Sequence, residues 1–173
     1  LVNANTTFNC TGSIRVPGWS GAIGCSKRSG HGTQVLKVAT GNSCNPAFIK
    51  IGQSLGTEKF YSYLNAFGFT DSTGIDLPGE AGTIMHKKED MGNVELATVA
   101  FGQSFQITAI QLLTTASSII NGGNRITPHF GIEALDRDGE VEETFSYPVQ
   151  TGIVSEETSA TMRYMLEMVV AEG

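Results

Sequence analysis

The sequence is poor in charge, in basic charge above all, and in long apolar runs. Charged residues make up 16% of its 173 positions, against about 25% in an ordinary globular protein. Eleven Lys and Arg face seventeen Asp and Glu, for a net charge of −6. The densest basic clusters are the pairs Lys27–Arg28 and Lys87–Lys88, which excludes the basic stripe of a nucleic-acid binder. No apolar run approaches the ~20 residues of a membrane-spanning helix, and nothing at the start reads as a secretory leader. Because residue 1 is Leu rather than Met, the expectation is a processed product or a section of something longer. Cysteine occurs three times, with no C-x-x-C or other zinc spacing. His31, His86 and His129 stand isolated and read as structural. Gly30-His31-Gly32 does not extend to a dinucleotide fingerprint, and no P-loop occurs. Neither a metal nor a cofactor is expected.

Glycine is plentiful: 21 residues, against a usual share of ~7%. Scattered among apolar runs, these glycines point to tight turns. Residues 4–27 read as a hairpin around Pro17–Gly18. A short helix is expected from Thr33 to Ala39, a second from Pro46 to Gly56 with Asn45 as its cap, and a third from Thr57. Glu95 to Phe101 reads as a short buried segment. Thr108 and Gln111 form a T-x-x-Q capping box ahead of an apolar stripe of Ala109, Leu112, Leu113, Ala116 and Ile120. Residues 130–147 read as a second hairpin, and Ser155 opens a last helix with Met162, Met165, Leu166, Val169 and Val170 on its apolar face. The fold class is therefore α+β, dominated by helices.

Folding residues 4–27 at Pro17–Gly18 sets Cys10 opposite Cys25. A disulfide there would close a loop of ~16 residues, add about 3 kcal/mol and imply an oxidising compartment. The alternative is two free, half-buried thiols. Asn42-Ser43-Cys44-Asn45-Pro46 is a polar break between two apolar helices. Read locally it is a helix junction.

The stretch Gly30-His31-Gly32-Thr33-Gln34 followed by Asn42-Ser43-Cys44-Asn45-Pro46-Ala47-Phe48 resembles the class B penicillin-binding transpeptidases. So do Ala66-Phe67-Gly68-Phe69, Thr73-Gly74-Ile75-Asp76-Leu77-Pro78-Gly79-Glu80, and Ala100-Phe101-Gly102-Gln103 followed by Ile107-Thr108-Ala109-Ile110-Gln111-Leu112-Leu113. The resemblance implies part of a serine β-lactamase/D,D-peptidase-like transpeptidase fold. Residues 1–30 would form a hairpin and loop, 31–128 a helical subdomain, and 129–173 a hairpin and helix. Such enzymes use S-x-x-K, S-x-N and K-[ST]-G motifs. Ser43-Cys44-Asn45 matches the second, and the other two do not occur. The nucleophilic serine and its lysine would lie before Leu1, and K-[ST]-G after Gly173. This chain alone would then be inactive.

By the same resemblance, Ser43 would relay protons between two lysines and the leaving nitrogen, and Asn45 would donate to the substrate amide carbonyl and help fix the lysine. Cys44 would point inward as a small hydrophobe. The partners implied are the D-Ala-D-Ala stem peptide of peptidoglycan and β-lactams. The parent would be anchored on the outer face of the bacterial cytoplasmic membrane. The alternative is a non-catalytic scaffold that kept the fold. Uncovered faces at Ile110–Leu113 or Met162–Val170 would invite self-association.

Overall fold

The structure is a computed structural model and describes residues 2–172. It is α+β, with helices flanked by two-stranded antiparallel ladders. Its contacts divide into two compact units, Leu1–Tyr63 with Met85–Phe105 and Ala160–Gly173, and Leu64–Ile84 with Gln106–Ser159.

In the first unit, β1 (Thr7–Cys10) pairs with β4 (Gly32–Val35), from Thr7 opposite Val35 to Cys10 opposite Gly32. The hairpin proper is only β2 (Ser13–Ile14) on β3 (Ile23–Gly24), with Ser13 opposite Gly24 and Ile14 opposite Ile23. This corrects the expected register. Gly12, at φ +93°, turns the chain between β1 and β2, so Cys10 belongs to a different ladder, opposite Gly32, and is not the cross-strand partner of Cys25. All three cysteines are free thiols, and the expected Cys10–Cys25 disulfide is not formed. The Thr33–Ala39 helix is also corrected. Thr33 and Val35 are β-branched and pair with β1 as part of β4, and α1 spans Leu36–Gly41.

Helix α2 (Asn45–Ala66) is interrupted at Gly56, which has φ 75° and ψ 160°. The break falls where the sequence places it. Thr57 does not cap the second half as expected; its hydroxyl donates to Met91 O at 3.2 Å. Helix α3 (Asn93–Ala100) buries Leu96, Ala97 and Val99. Gly52 permits its close approach to α2, since a Cβ there would lie 2.5 Å from Ala100 Cβ. Val16, Ile49 and Ala97 form the centre of this packing, with Ile14, Ile23, Val94 and Phe101 around it.

In the second unit, α4 (Ala109–Ile120) starts as expected, with the Thr108 hydroxyl accepting from Gln111 N–H. Its burial is the reverse of expectation. The buried residues are Gln111, Thr114, Thr115 and Ser118, while Leu112 and Leu113 are 55% and 63% exposed. The reason is the loop after α2, whose carbonyls need donors. Gln111 Nε2 donates to Gly68 O (2.6 Å) and Asp71 O (2.7 Å), and Thr115 Oγ1 to Phe67 O (2.9 Å). The Gln111 side chain is thereby taken away from the reciprocal half of the capping box. β5 (Arg125–Ile126) pairs with β8 (Val149–Gln150). Between them lies the expected hairpin, β6 (Glu133–Leu135) on β7 (Val141–Thr144). Helix α5 (Glu156–Glu172) begins at Ser155, whose Oγ accepts from Thr158 N–H. Met165 on α5 is buried and Val170 is exposed.

Candidate functional site

The polar break of residues 42–46 folds as a Schellman motif running directly into α2. Cys44 N–H donates to Ala39 O and Ser43 N–H to Thr40 O, both at 3.0 Å, which satisfies the open carbonyls of α1. The residue in the left-handed position is Ser43, at φ 47°. Glycine usually fills that place, and a residue with a Cβ there costs about 1–2 kcal/mol. Cys44 tucks beneath, fully buried beside Ala39 and Ala47.

Helix α2 is capped by Cys44, not by Asn45 as expected. The Cys44 carbonyl accepts from Ala47 N–H (3.0 Å) and Phe48 N–H (3.3 Å), which leaves Asn45 as the first helical residue. The Asn45 side chain is therefore free to reach across to β3, where Nδ2 donates to Gly24 O at 2.9 Å. Its second N–H and its carbonyl oxygen keep capacity for another partner. Ser43 is exposed and Asn45 half-buried. Both line a hollow of about 340 Å³, together with Thr40, Phe48, Phe101 and, from α5, Leu166 and Val169. The structure thus brings the two sequence-predicted polar residues to one concavity with apolar walls.

Beneath this turn lies an arrangement that sequence reasoning missed. Cys10, Cys25, His31 and Cys44 converge, with their donor atoms all within 4.8 Å of one another. Cys25 Sγ lies 3.9 Å from Cys44 Sγ and 3.5 Å from His31 Nδ1. His31 is therefore not isolated. Burial raises the Cys10 thiol, but the His31 and Gly12 N–H groups that hydrogen-bond its sulfur prevail and bring it down to about 6. Burial pushes Cys44 up to about 12, helped by the neighbouring sulfurs. The available signal was four soft donors within 35 residues. Their separations match no local metal pattern, because two ladders and a helix start bring them together.

The Thr73–Glu80 block serves as a tied loop. Glu80 accepts from Thr73 N–H (2.8 Å), the Thr73 hydroxyl (2.7 Å) and Gly74 N–H (3.3 Å). Asp76 accepts from Phe130 N–H, Gly131 N–H and the Tyr147 hydroxyl, the last two at 2.7 and 2.9 Å. The Gly131 and Phe130 amides hold its carboxyl below the usual range. Both acids are fully engaged in binding the loop.

The sequence profile described as "Penicillin binding protein transpeptidase domain" matches residues 1–173. The chain belongs to this family. Stage V sporulation protein D of Bacillus subtilis is 44% identical over 150 residues, which is 86% of this chain and 23% of that protein. The peptidoglycan D,D-transpeptidase MrdA of Acinetobacter baumannii is 27% identical over 138 residues, 75% of this chain and 20% of its own. Among solved structures, penicillin binding protein 3 of Mycobacterium tuberculosis superimposes with a TM-score of 0.89 at 26% identity, over 98% of this chain and 37% of that one. The same protein is known in complex with aztreonam, and that structure superimposes at 0.88. The chain spans roughly a quarter of the length of the curated relatives it matches. No helix of the described residues is long and apolar enough to cross a membrane.

Proposed function

We propose that this chain supplies one wall of the catalytic cleft of a peptidoglycan D,D-transpeptidase, through Ser43 and Asn45. The observation carrying this reading is Ser43 itself. It occupies a strained left-handed position that glycine fills without cost, and it points a hydroxyl into solvent at a concavity. Such strain is retained where a side chain is needed for more than packing. The hydroxyl has no hydrogen-bond partner among the described residues, so it is available for a relay.

Neither S-x-x-K nor K-[ST]-G occurs in the 173 residues. The nucleophilic serine and its activating lysine therefore come from outside them in this reading. The serine attacks the penultimate D-Ala carbonyl of one stem peptide, releases the terminal D-Ala, and yields an acyl-enzyme that the amine of a second stem peptide resolves. Ser43 passes the serine's proton toward the leaving nitrogen. Asn45 presents its remaining N–H to the substrate carbonyl while Gly24 O holds its side chain in place. A β-lactam, as a cyclic amide, acylates the same serine. The site works on the outer face of the cytoplasmic membrane, where peptidoglycan is assembled, and the chain alone has no turnover.

Intact-mass analysis of the longer protein with and without a β-lactam tests this, with the present chain as the blank. A stable adduct on a serine outside residues 1–173, and none on the blank, supports the reading. No adduct on a folded longer protein would overturn it in favour of a non-catalytic scaffold.

A further inference from the structure

We propose that Gln34 is a positioning residue for Ser43, acting through Asn42. The proposal rests on the catalytic reading of the Ser43 turn and adds what holds that turn in place. Gln34 lies in β4, opposite Phe8 of β1, and is only 8% exposed. Its Oε1 accepts from Asn42 Nδ2 at 2.8 Å. Asn42 is the C-cap of α1, directly before Ser43, and its backbone N–H donates to Val38 O at 2.9 Å. The other polar atom of the Gln34 side chain, Nε2, is buried with no hydrogen-bond partner among the described residues.

An unpaired buried polar atom destabilises a fold. Turning both amides over exchanges donor and acceptor across the bond, and then leaves Oε1 alone instead of Nε2. Methionine, unbranched and of similar length, would fill the same place with no polar atom to satisfy. Packing therefore does not account for glutamine at position 34, and the bond to Asn42 does. Asn42 is exposed, so water could satisfy its amide equally well. What the bond supplies is a fixed position for the chain. Ser43 follows in the left-handed conformation, and its hydroxyl has no partner among the described residues to steer it. The place of that hydroxyl is set by the backbone on either side. Before it, Asn42 is tied to Gln34; after it, Asn45 is tied to Gly24 O at 2.9 Å. Gln34 belongs to the β1–β4 ladder and Gly24 to the β2–β3 ladder. The turn is thus hung between the two ladders by one side-chain amide at each end. Releasing the Asn42 end lets the strained residue shift, and a misplaced relay lowers the rate of the chemical step rather than the affinity for substrate.

The test follows acylation of the longer protein by a fluorescent penicillin, resolving the limiting acylation rate from the affinity of the non-covalent complex. Gln34→Met should slow the limiting rate about 10–100-fold and leave that affinity unchanged. Its melting temperature should equal or exceed that of the wild type, because the unpaired buried nitrogen is gone. Asn42→Ala removes the same bond from the exposed side and should slow acylation to the same extent; it decides the matter if Gln34→Met does not fold. The double variant should be no slower than either single one, since all three lack one and the same bond. Wild-type acylation rates in the folded single variants would overturn the proposal, as would slowing that multiplies in the double variant. A lowered melting temperature with unchanged acylation would make Gln34 a packing residue and overturn it equally. Ser43→Ala, measured alongside, separates the two readings. If it acylates at the wild-type rate, the catalytic reading of the turn fails; if it is slow while Gln34→Met and Asn42→Ala are not, only the role of Gln34 falls.

Discussion

Gly30 and Gly32 flank His31 and have nearly the same backbone conformation, at φ +84° and +71°. They differ in what an added methyl group would meet. At Gly32 there is nothing within 4 Å, whereas at Gly30 a Cβ would lie 2.4 Å from Cys10 O, 2.8 Å from Thr11 C and 2.9 Å from Gly12 N. Alanine at either site pays a left-handed penalty of about 1–2 kcal/mol, partly offset by ~0.4–1 kcal/mol from the stiffer unfolded chain. Gly32→Ala should therefore destabilise by about 0.5–1 kcal/mol. Gly30→Ala carries the same cost plus an overlap with rigid backbone. The Cys10 carbonyl cannot yield as a side-chain tip would, and displacing a packed neighbour typically costs about 1–3 kcal/mol more. Urea denaturation of the two variants measures the difference directly, since the conformational part cancels. A gap of about 1–3 kcal/mol is expected, with faster alkylation of Cys10 in Gly30→Ala only. Equal midpoints and equal alkylation rates would refute the close packing of residues 10–12 on Gly30, and with it the geometry of the thiol cluster.

Two further outcomes follow from the second unit. Gln111→Met should cost about 2–4 kcal/mol, because it leaves the buried Gly68 carbonyl, the Asp71 carbonyl and the Thr83 hydroxyl without their partner. Leu113→Gln, two residues on and on the opposite, exposed face of the helix, should change stability by less than about 0.5 kcal/mol and reduce self-association seen by light scattering; the opposite ranking would show α4 buried the other way round. For Asp76, the folded carboxyl sits below its ordinary value. Its hydrogen bonds therefore stabilise the loop at pH above the unfolded value of about 3.9 and are lost as pH falls through the lower folded value. Amide exchange at Phe130 and Gly131 should accelerate in that acidic window in the wild type and already be fast at neutral pH in Asp76→Asn; protection unchanged by either would sink the assignment.

Local patterns were legible wherever a short-range rule sufficed. The Thr108 cap, the Ser155 start of α5, the break at Gly56 and the 130–147 hairpin depend on dihedral preferences and side-chain bonds within a few residues. The Ser43–Asn45 motif was equally visible, since three adjacent residues carry it. Partner choice was not legible. Thr33–Ala39 has enough helical spacing to read as a helix, and only the free edge of β1 makes its first residues a strand. The apolar stripe of α4 was read inward because periodicity reports which residues are alike. It does not report that unpaired carbonyls at Phe67, Gly68 and Asp71 would recruit the polar face instead.

The sequence by itself determined the family, the turn chemistry and the absence of a nucleophile motif, because these are properties of identity and local spacing. Only the tertiary structure decided that Cys10, Cys25, His31 and Cys44 share one point in space. Their separations along the chain are long and irregular, and proximity came from the register of two ladders, each fixed by long-range pairing and by glycines that let backbones touch.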